Sequence, residues 1–529
     1  MWRAMILSIT LSGLFAHAGN INPEDKVRQP AVAGAFYPAD PSELAKMIDG
    51  FLSQASVPTV KDFVALVSPH AGYIYSGPVA AYSYALLKGR KVERVVVIAP
   101  SHYEAFNFVA VYDGAAYATP LGQIPVDRDF VSRLVALNHN IKLSDRGHAV
   151  TAGRGEHALE VQLPFLQRTL GSSFKLVPIV MGDQSYDLCR ALGVSLAKLI
   201  HGPETLIIAS SDLSHYHPYD EAVKIDHKTL KAIEEWDYLS MSRNFERRVW
   251  EACGGGPIIA AMIAAERLGA NQAKVLRYAN SGDVTSDRSR VVGYGAIAFS
   301  KSGSQAALTD ESFSLSKQEK EQLLQIARKS VETAVKEGKW FECSAAGLDA
   351  LMQERGAFVT LTEKGQLRGC IGNVAATQSL CHTVRDVAAL AAVRDHRFPP
   401  VTAQELGELE YEVSVLSPLR RVMDIRQIHV GKHGLLIKKG DVEGLLLPQV
   451  AAEQHWDRTT FLEQTCRKAG LPPDAWKDEE TDIFLFSALV FGEHRLEQSV
   501  MPDQIRTQKP AGWPTPPGQG SLSPLAPLF

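Results

Sequence analysis

Phe63-Val64-Ala65-Leu66-Val67-Ser68-Pro69-His70 is the stretch on which the fold turns. Five apolar residues run without alternation and stop at a polar turn that carries histidine. The pattern returns twice. Val95-Val96-Val97-Ile98-Ala99 leads into Pro100-Ser101-His102, and Leu206-Ile207-Ile208-Ala209 leads into Ser210-Ser211-Asp212-Leu213-Ser214-His215. A short apolar run without period-two alternation reads as a strand buried on both faces. Ligands of open α/β sheets bind beyond the carboxyl ends of such strands. Three strands ending on imidazoles therefore predict a site at one sheet edge, with a metal as its first expected occupant.

Working outward, residues 28–300 alternate between strand and helix patterns. Asp40-Pro41 marks a helix start, with Leu44, Met47, Ile48 and Phe51 at helical spacing. Further helices are expected near Pro78–Leu87, Glu160–Leu170, Leu188–Ile200, Asp220–Trp236 and Pro257–Leu268, and strands at Leu176–Met181 and Val291–Phe299. This order predicts an α/β domain with a largely parallel sheet. Residues 301–311 are small and polar and read as a linker. Residues 312–507 predict an α+β domain: a helix over Ser316–Glu337, strands at Phe358–Thr362 and Leu409–Leu416, a helix over Leu380–Val393, and a hairpin about Lys439-Gly440-Asp441. Residues 508–529 are rich in proline and glycine, and no structure is assigned to them.

Composition narrows the function. The chain has 529 residues, 45% apolar and 22% charged, with a formal net charge of −4. No long basic run is present, so nucleic acid is not an expected partner. Six cysteines without C-x-x-C spacing argue against a disulfide framework or a zinc ribbon. Met1-Trp2-Arg3, the apolar run to Phe15 and Ala16-His17-Ala18 give residues 1–18 the pattern of a secretory signal, which favours export to the periplasm, with the cytoplasm as the alternative. The run is too short for a comfortable membrane span, and no other stretch reads as transmembrane.

Other reactive groups join the histidines. Glu156-His157 precedes the expected helix holding Glu160. Cys253 lies in Ala252-Cys253-Gly254-Gly255-Gly256-Pro257, just before a helix, where a thiol pKa is lowered. Two imidazoles with a thiolate suit iron, copper or zinc; two imidazoles with a carboxylate from Glu160 or Asp212 suit non-haem iron. His215 reads as a general acid or base, and His217 as a solvent-facing neighbour. Tyr73, Tyr75 and Tyr103 flank the expected mouth, as walls or as substrate contacts.

The strings SPHAGYIYSG, APSHY, EHALEVQLPFL, SSDLSHYHPYDEA and CGGGPI, in this order, resemble the Memo-like family over residues 28–300. The resemblance implies a fold like that of the class III extradiol dioxygenases. It also implies one transition metal, iron or copper ahead of zinc, held by His70, His102 and Cys253. His215 then matches a catalytic histidine, with Asp212 and His157 lining the same cleft. The dioxygenase pattern has glutamate where Cys253 stands, which speaks against ring cleavage.

In the second domain, Gln366-Leu367-Arg368-Gly369-Cys370-Ile371-Gly372-Asn373 stands out. Cys370 beside Arg368 reads either as a buried thiol at a strand–turn or as an activated one, with His396 as its partner. LRGCIG, RDHRFPPVTAQEL and LEYEVSVLSP resemble the AMMECR-like family. A chain joining both units resembles proteins B and A of the AmmeMemoRadiSam system, which implies a separate radical SAM protein as partner. The leading expectation is thus a metal-binding redox protein or oxidoreductase. A peptide-binding scaffold with a degenerate cleft and a metal-dependent hydrolase are the alternatives.

Overall fold

The computed structural model describes residues 26–151, 154–301, 313–344 and 347–493. The expected signal segment and the proline-rich tail lie outside these residues, as does nearly all of the expected linker. The chain divides into two compact units, Met1–Ala306 and Ala307–Phe529.

The first unit is a mixed α/β domain. Its site-positioning elements are α1 (Pro41–Gln54), β1 (Phe63–Ser68), α2 (Tyr73–Ala85), β2 (Arg94–Pro100), β3 (Val109–Val111), β4 (Ile141–Leu143), α3 (Leu163–Leu170), β5 (Lys175–Met181), α4 (Tyr186–Leu199), β6 (Thr205–Ser210), β7 (His215–His217), α5 (Tyr219–Glu234), α6 (Gly255–Arg267), β8 (Gln272–Asn280) and β9 (Val291–Ser300). Asp40 caps α1, its carboxylate accepting the backbone N–H groups of Ser42 and Glu43. The sheet order is β7-β9-β1-β6-β2-β5-β3-β4, with β8 also on β9.

β1, β6, β2 and β5 are mutually parallel and form the centre of the sheet. Their apolar residues are buried almost throughout, as runs covered on both faces require. The flanks differ from the parallel expectation, since β9 and β3 join this centre antiparallel. α2 starts at Tyr73 and carries Pro78 inside it, rather than starting near Pro78. β8 was not expected. It pairs only with β9 among the described strands, and its Lys274 and Arg277 interrupt the apolar pattern.

The second unit is α+β: α7 (Lys317–Glu337), β10 (Ala357–Glu363), β11 (Gln366–Asn373), α8 (Leu380–Val393), β12 (Leu409–Leu416), β13 (His433–Lys439), β14 (Val442–Leu446), α9 (Arg458–Lys468) and β15 (Asp482–Gly492). Its antiparallel sheet runs β11-β10-β12-β15-β13-β14. Ser316 and Glu319 form a capping box at α7. Gly440, at φ +54°, makes the β13–β14 turn. α7 and α8 pack with β10 and β12 around one apolar core, and α9 packs with β13 around another. No helix among the described residues is long and apolar enough to cross a membrane.

Candidate metal centre

The three strands singled out in the sequence are adjacent. β6 lies between β1 and β2, with Ser210 level with Ser68 and Ala209 level with Ile98. Two residues beyond each strand end stand His70, His102 and Asp212. The third position therefore belongs to Asp212, where the sequence pattern pointed to His215. The Leu213 N–H donates to Gly293 O at 2.8 Å. This turns the chain toward β9, and His215 follows on β7, paired antiparallel with β9.

Hydrogen bonds assign the tautomers of both strand-end imidazoles. Ser210 Oγ donates to Ala158 O at 2.6 Å and accepts from Gln162 Nε2 at 2.7 Å. A hydroxyl carries one proton, so His70 Nδ1, 2.9 Å away, is the donor to Ser210 Oγ. His70 Nε2 keeps its lone pair, 3.1 Å from Cys253 Sγ. His102 repeats the arrangement, its Nδ1 donating to Glu156 Oε1 at 2.9 Å. A second partner that fixes the tautomer in this way is characteristic of metal-binding histidines.

Two donor groups converge on His70. One ligand atom each from His70, His102 and His157 lie within 4.8 Å of one another, and so do those from His70, Asp212 and Cys253. The His157 ring stacks on His102 at 4.8 Å and meets His70 edge-on at 5.5 Å. Its Nδ1 is buried without a hydrogen-bond partner.

The electrostatics separate these groups. Burial, helped by His102, holds the His70 pKa well below the usual imidazole value. Burial beside His70 lowers His157 to about 4. Burial also opposes charge on His102, but the hydrogen bond and charge of Glu156 outweigh it and raise the pKa. For Glu156 burial favours the neutral acid, yet the bonds from His102 and the backbone bring it down to about 2. Burial raises Asp212, against the bond it accepts from the His70 N–H at 2.7 Å.

Cys253 corrects one expectation. Burial and the neighbouring Asp212 push its thiol well above the usual value, so proximity to the α6 N-terminus does not make it a thiolate unaided. Its position is nevertheless tightly fixed. The Asp212 N–H donates to Sγ at 3.2 Å. Gln184 bridges the turn, donating to Cys253 O at 2.9 Å and accepting from the Gly256 N–H at 2.6 Å. A Cβ on Gly254 would stand 2.2 Å from Ser210 O, so only glycine lets this turn approach the end of β6.

Glu160 is not available as a ligand. Its oxygens accept from Arg28 Nη1 at 2.6 Å, Ala31 N at 2.7 Å, Val32 N at 3.0 Å and Tyr37 Oη at 2.6 Å. Four donors fill its acceptor sites. His215 Nδ1 lies 2.9 Å from Leu213 O, so Nδ1 donates and Nε2 is the free acceptor. His217 Nε2 is bound to Glu251 at 2.8 Å rather than simply facing solvent. Tyr73 is buried and donates to Val161 O at 2.7 Å, which makes it wall. Tyr103 is 62% exposed and meets His157 edge-on.

Sequence reasoning missed Ser210, Gln162 and Gln184 as supports, and the orienting role of Glu156. Only Glu156 carried a signal, through its place beside His157.

In the second unit, Arg368 is committed to Glu405, at 2.7 and 3.3 Å, rather than to Cys370. The cation acting on Cys370 is Arg397, which donates to Cys370 O at 3.1 Å, while Asp395 accepts the Cys370 N–H at 2.9 Å. His396, between them in sequence, is exposed. Burial raises the Cys370 thiol, against a hydrogen bond from Thr360.

Comparison with known proteins agrees with this division. Residues 28–298 match the family model described as Memo-like protein, and residues 324–491 match that described as AMMECR1. A MEMO1 family protein of Methanopyrus kandleri is 40% identical over 283 residues, 51% of this chain and 98% of the relative. One from Sulfolobus acidocaldarius is 39% identical over 288 residues, 52% and 99% of the two chains. The crystal structure of an uncharacterized protein from Pyrococcus horikoshii is 41% identical, covering 33% of this chain and 90% of that one, with a TM-score of 0.32.

Proposed function

The chain belongs to the Memo-like family and carries an AMMECR1 domain behind the Memo-like one, and from that premise we propose that it is a metal-binding redox protein. The observation that carries the reading is the paired tautomer: both strand-end imidazoles donate through Nδ1, which leaves Nε2 as the ligand atom. His70, His102 and Cys253 would hold the ion, a donor set of two nitrogens and one sulfur that fits iron, copper or zinc. Iron or copper, when bound, supplies one-electron chemistry. Binding requires the Cys253 proton to leave, and the raised carboxyl of Asp212 and the free Nε2 of His215 are the groups suited to hold protons nearby. His157, neutral near pH 7, and the exposed Tyr103 would contact a small molecule or peptide in the cleft.

The domain pair further supports a place in the AmmeMemoRadiSam system, with a separate radical SAM protein as partner and the AMMECR1 domain binding substrate or that partner. A fold of the class III extradiol dioxygenase kind is part of the same reading. Metal analysis of the purified wild type, His70→Ala and Cys253→Ser chains tests it. Both variants should lose the ion; unchanged metal content in both would sink the assignment. The exposed Tyr103 favours peptide binding as a second reading, which predicts peptide capture that survives chelation.

A further inference from the structure

The second unit contains a thiol pair that none of these roles uses. Cys343 lies in the segment after α7 and is partly buried; Cys381, buried, is the second residue of α8, whose cap is Ser379. Their Sγ atoms lie 2.8 Å apart across 38 residues of sequence. Magnitudes distinguish the ways two sulfurs can meet. A disulfide bond is about 2.05 Å long. Two thiolates on one tetrahedral zinc, each about 2.3 Å from it, stand about 3.8 Å apart. Unbonded carbon-sized atoms settle at about 3.5–4.0 Å. The observed separation lies inside both of the non-covalent values.

We propose that Cys343 and Cys381 form a reversible disulfide that ties the segment behind α7 to the first turn of α8. His382 Nδ1, the remaining donor nearby, is 2.6 Å from Ser379 Oγ and 3.8 Å from Cys381 Sγ, so it supports the helix end. The Arg385 guanidinium, one turn along α8, acts on both sulfurs. Burial and Cys381 push the Cys343 thiol up to about 12, with Arg385 opposing them. A thiol whose thiolate is disfavoured, as that of Cys343 is, makes a slow nucleophile but a disulfide that resists reduction. The pair is therefore a tether. It would fix the helix that backs β11, where a Cβ on Gly369 would stand 2.2 Å from Ala391 O of α8.

The oxidant is a small-molecule or protein disulfide, RSSR. The more accessible Cys343 loses its proton and attacks one sulfur of RSSR, releasing RS⁻. Cys381 then loses its proton and attacks Cys343 Sγ, releasing the second RS⁻. The two protons go to the two leaving thiolates. Two thiols are oxidised to one disulfide while RSSR is reduced to two RSH.

The test uses the reduced full-length chain, equilibrated with oxidised glutathione, alkylated and digested. A cross-linked peptide joining Cys343 to Cys381, two hydrogens lighter than its reduced halves and released by dithiothreitol, is the expected product. Cys189, Cys253, Cys370 and Cys466 should stay alkylatable after denaturation. Reduction should lower the Tm of the second unit by about 5–10 °C, and Cys343→Ser, at the partly exposed end, should abolish that sensitivity. Full alkylation of both cysteines, persistent glutathione adducts without the cross-link, or stoichiometric zinc protecting both thiols would each overturn the proposal. The wild-type peptide map decides it even if a variant fails to fold.

Discussion

The Nδ1 of His102 lies 2.9 Å from Oε1 of Glu156, and the backbone N–H of the same histidine donates to Oε2. One carboxylate thus fixes both the ring and the main chain of a proposed ligand. It also accepts the His157 N–H at 2.9 Å and the Ala158 N–H at 3.0 Å. Glu156→Gln replaces one acceptor oxygen with an amide donor and removes the charge that raises His102. Metal affinity should fall about 10–100-fold, with helical content unchanged. Competition with a chromophoric chelator measures this, and an unaltered affinity would remove Glu156 from the metal centre.

Gly254 governs the other side of the site. A Cβ there would stand 2.2 Å from Ser210 O, at the end of β6, and 2.7 Å from Cβ of Ser211 just beyond it. Gly254→Ala should push the Cys253 turn away from His70 and lower metal occupancy. Gly50→Ala, where a Cβ meets nothing within 4 Å, is the control. Equal occupancy in the two variants would show that the turn tolerates the shift.

Arg28 and Glu160 form a fully buried ion pair at 2.6 Å. Arg28 also donates to His148 O at 2.8 Å and to the backbone carbonyl of Glu156. Removing the cation strands a buried carboxylate, so Arg28→Met should cost about 3–5 kcal/mol. Combining it with Glu160→Met should recover part of that loss. Urea unfolding of the three variants checks the coupling; simple additivity would contradict it.

How much of this was legible in the sequence follows from how local each feature is. The runs ending at His70 and His102 were readable because strands buried on both faces need continuous apolar side chains. β7 and β8 were not, since they lie at the sheet's edge and carry histidine, lysine and arginine. Asp212 took the place expected of His215 because the equivalence depends on counting from the paired end of β6, which only the register reveals. Glu156 meets His102 across 54 residues, and no local pattern encodes that contact. In the second unit Leu380–Val393 and Leu409–Leu416 matched their expected bounds. The partner of Cys370 did not, because Asp395 and Arg397, rather than His396, turn toward its backbone.

Asp237 gives a pH dependence that involves none of the candidate metal ligands. It caps a short helix over Tyr238–Glu246, accepting the Ser240 N–H at 3.2 Å. Burial raises its carboxyl to about 6, against the bonds from Ser240. An unfolded aspartate titrates near 3.9. Between these values the native state binds more protons than the unfolded one, so the contribution of Asp237 to stability is fully present below about pH 4. It is lost as pH rises through about 6. Asp237→Asn keeps a capping oxygen and has no charge to bury. Wild type and variant should therefore be nearly equal in stability at pH 4, with the variant ahead by about 1–3 kcal/mol at pH 7.5. Urea midpoints at the two pH values measure the gap. A gap that is the same at both would mean that folding does not raise the Asp237 carboxyl.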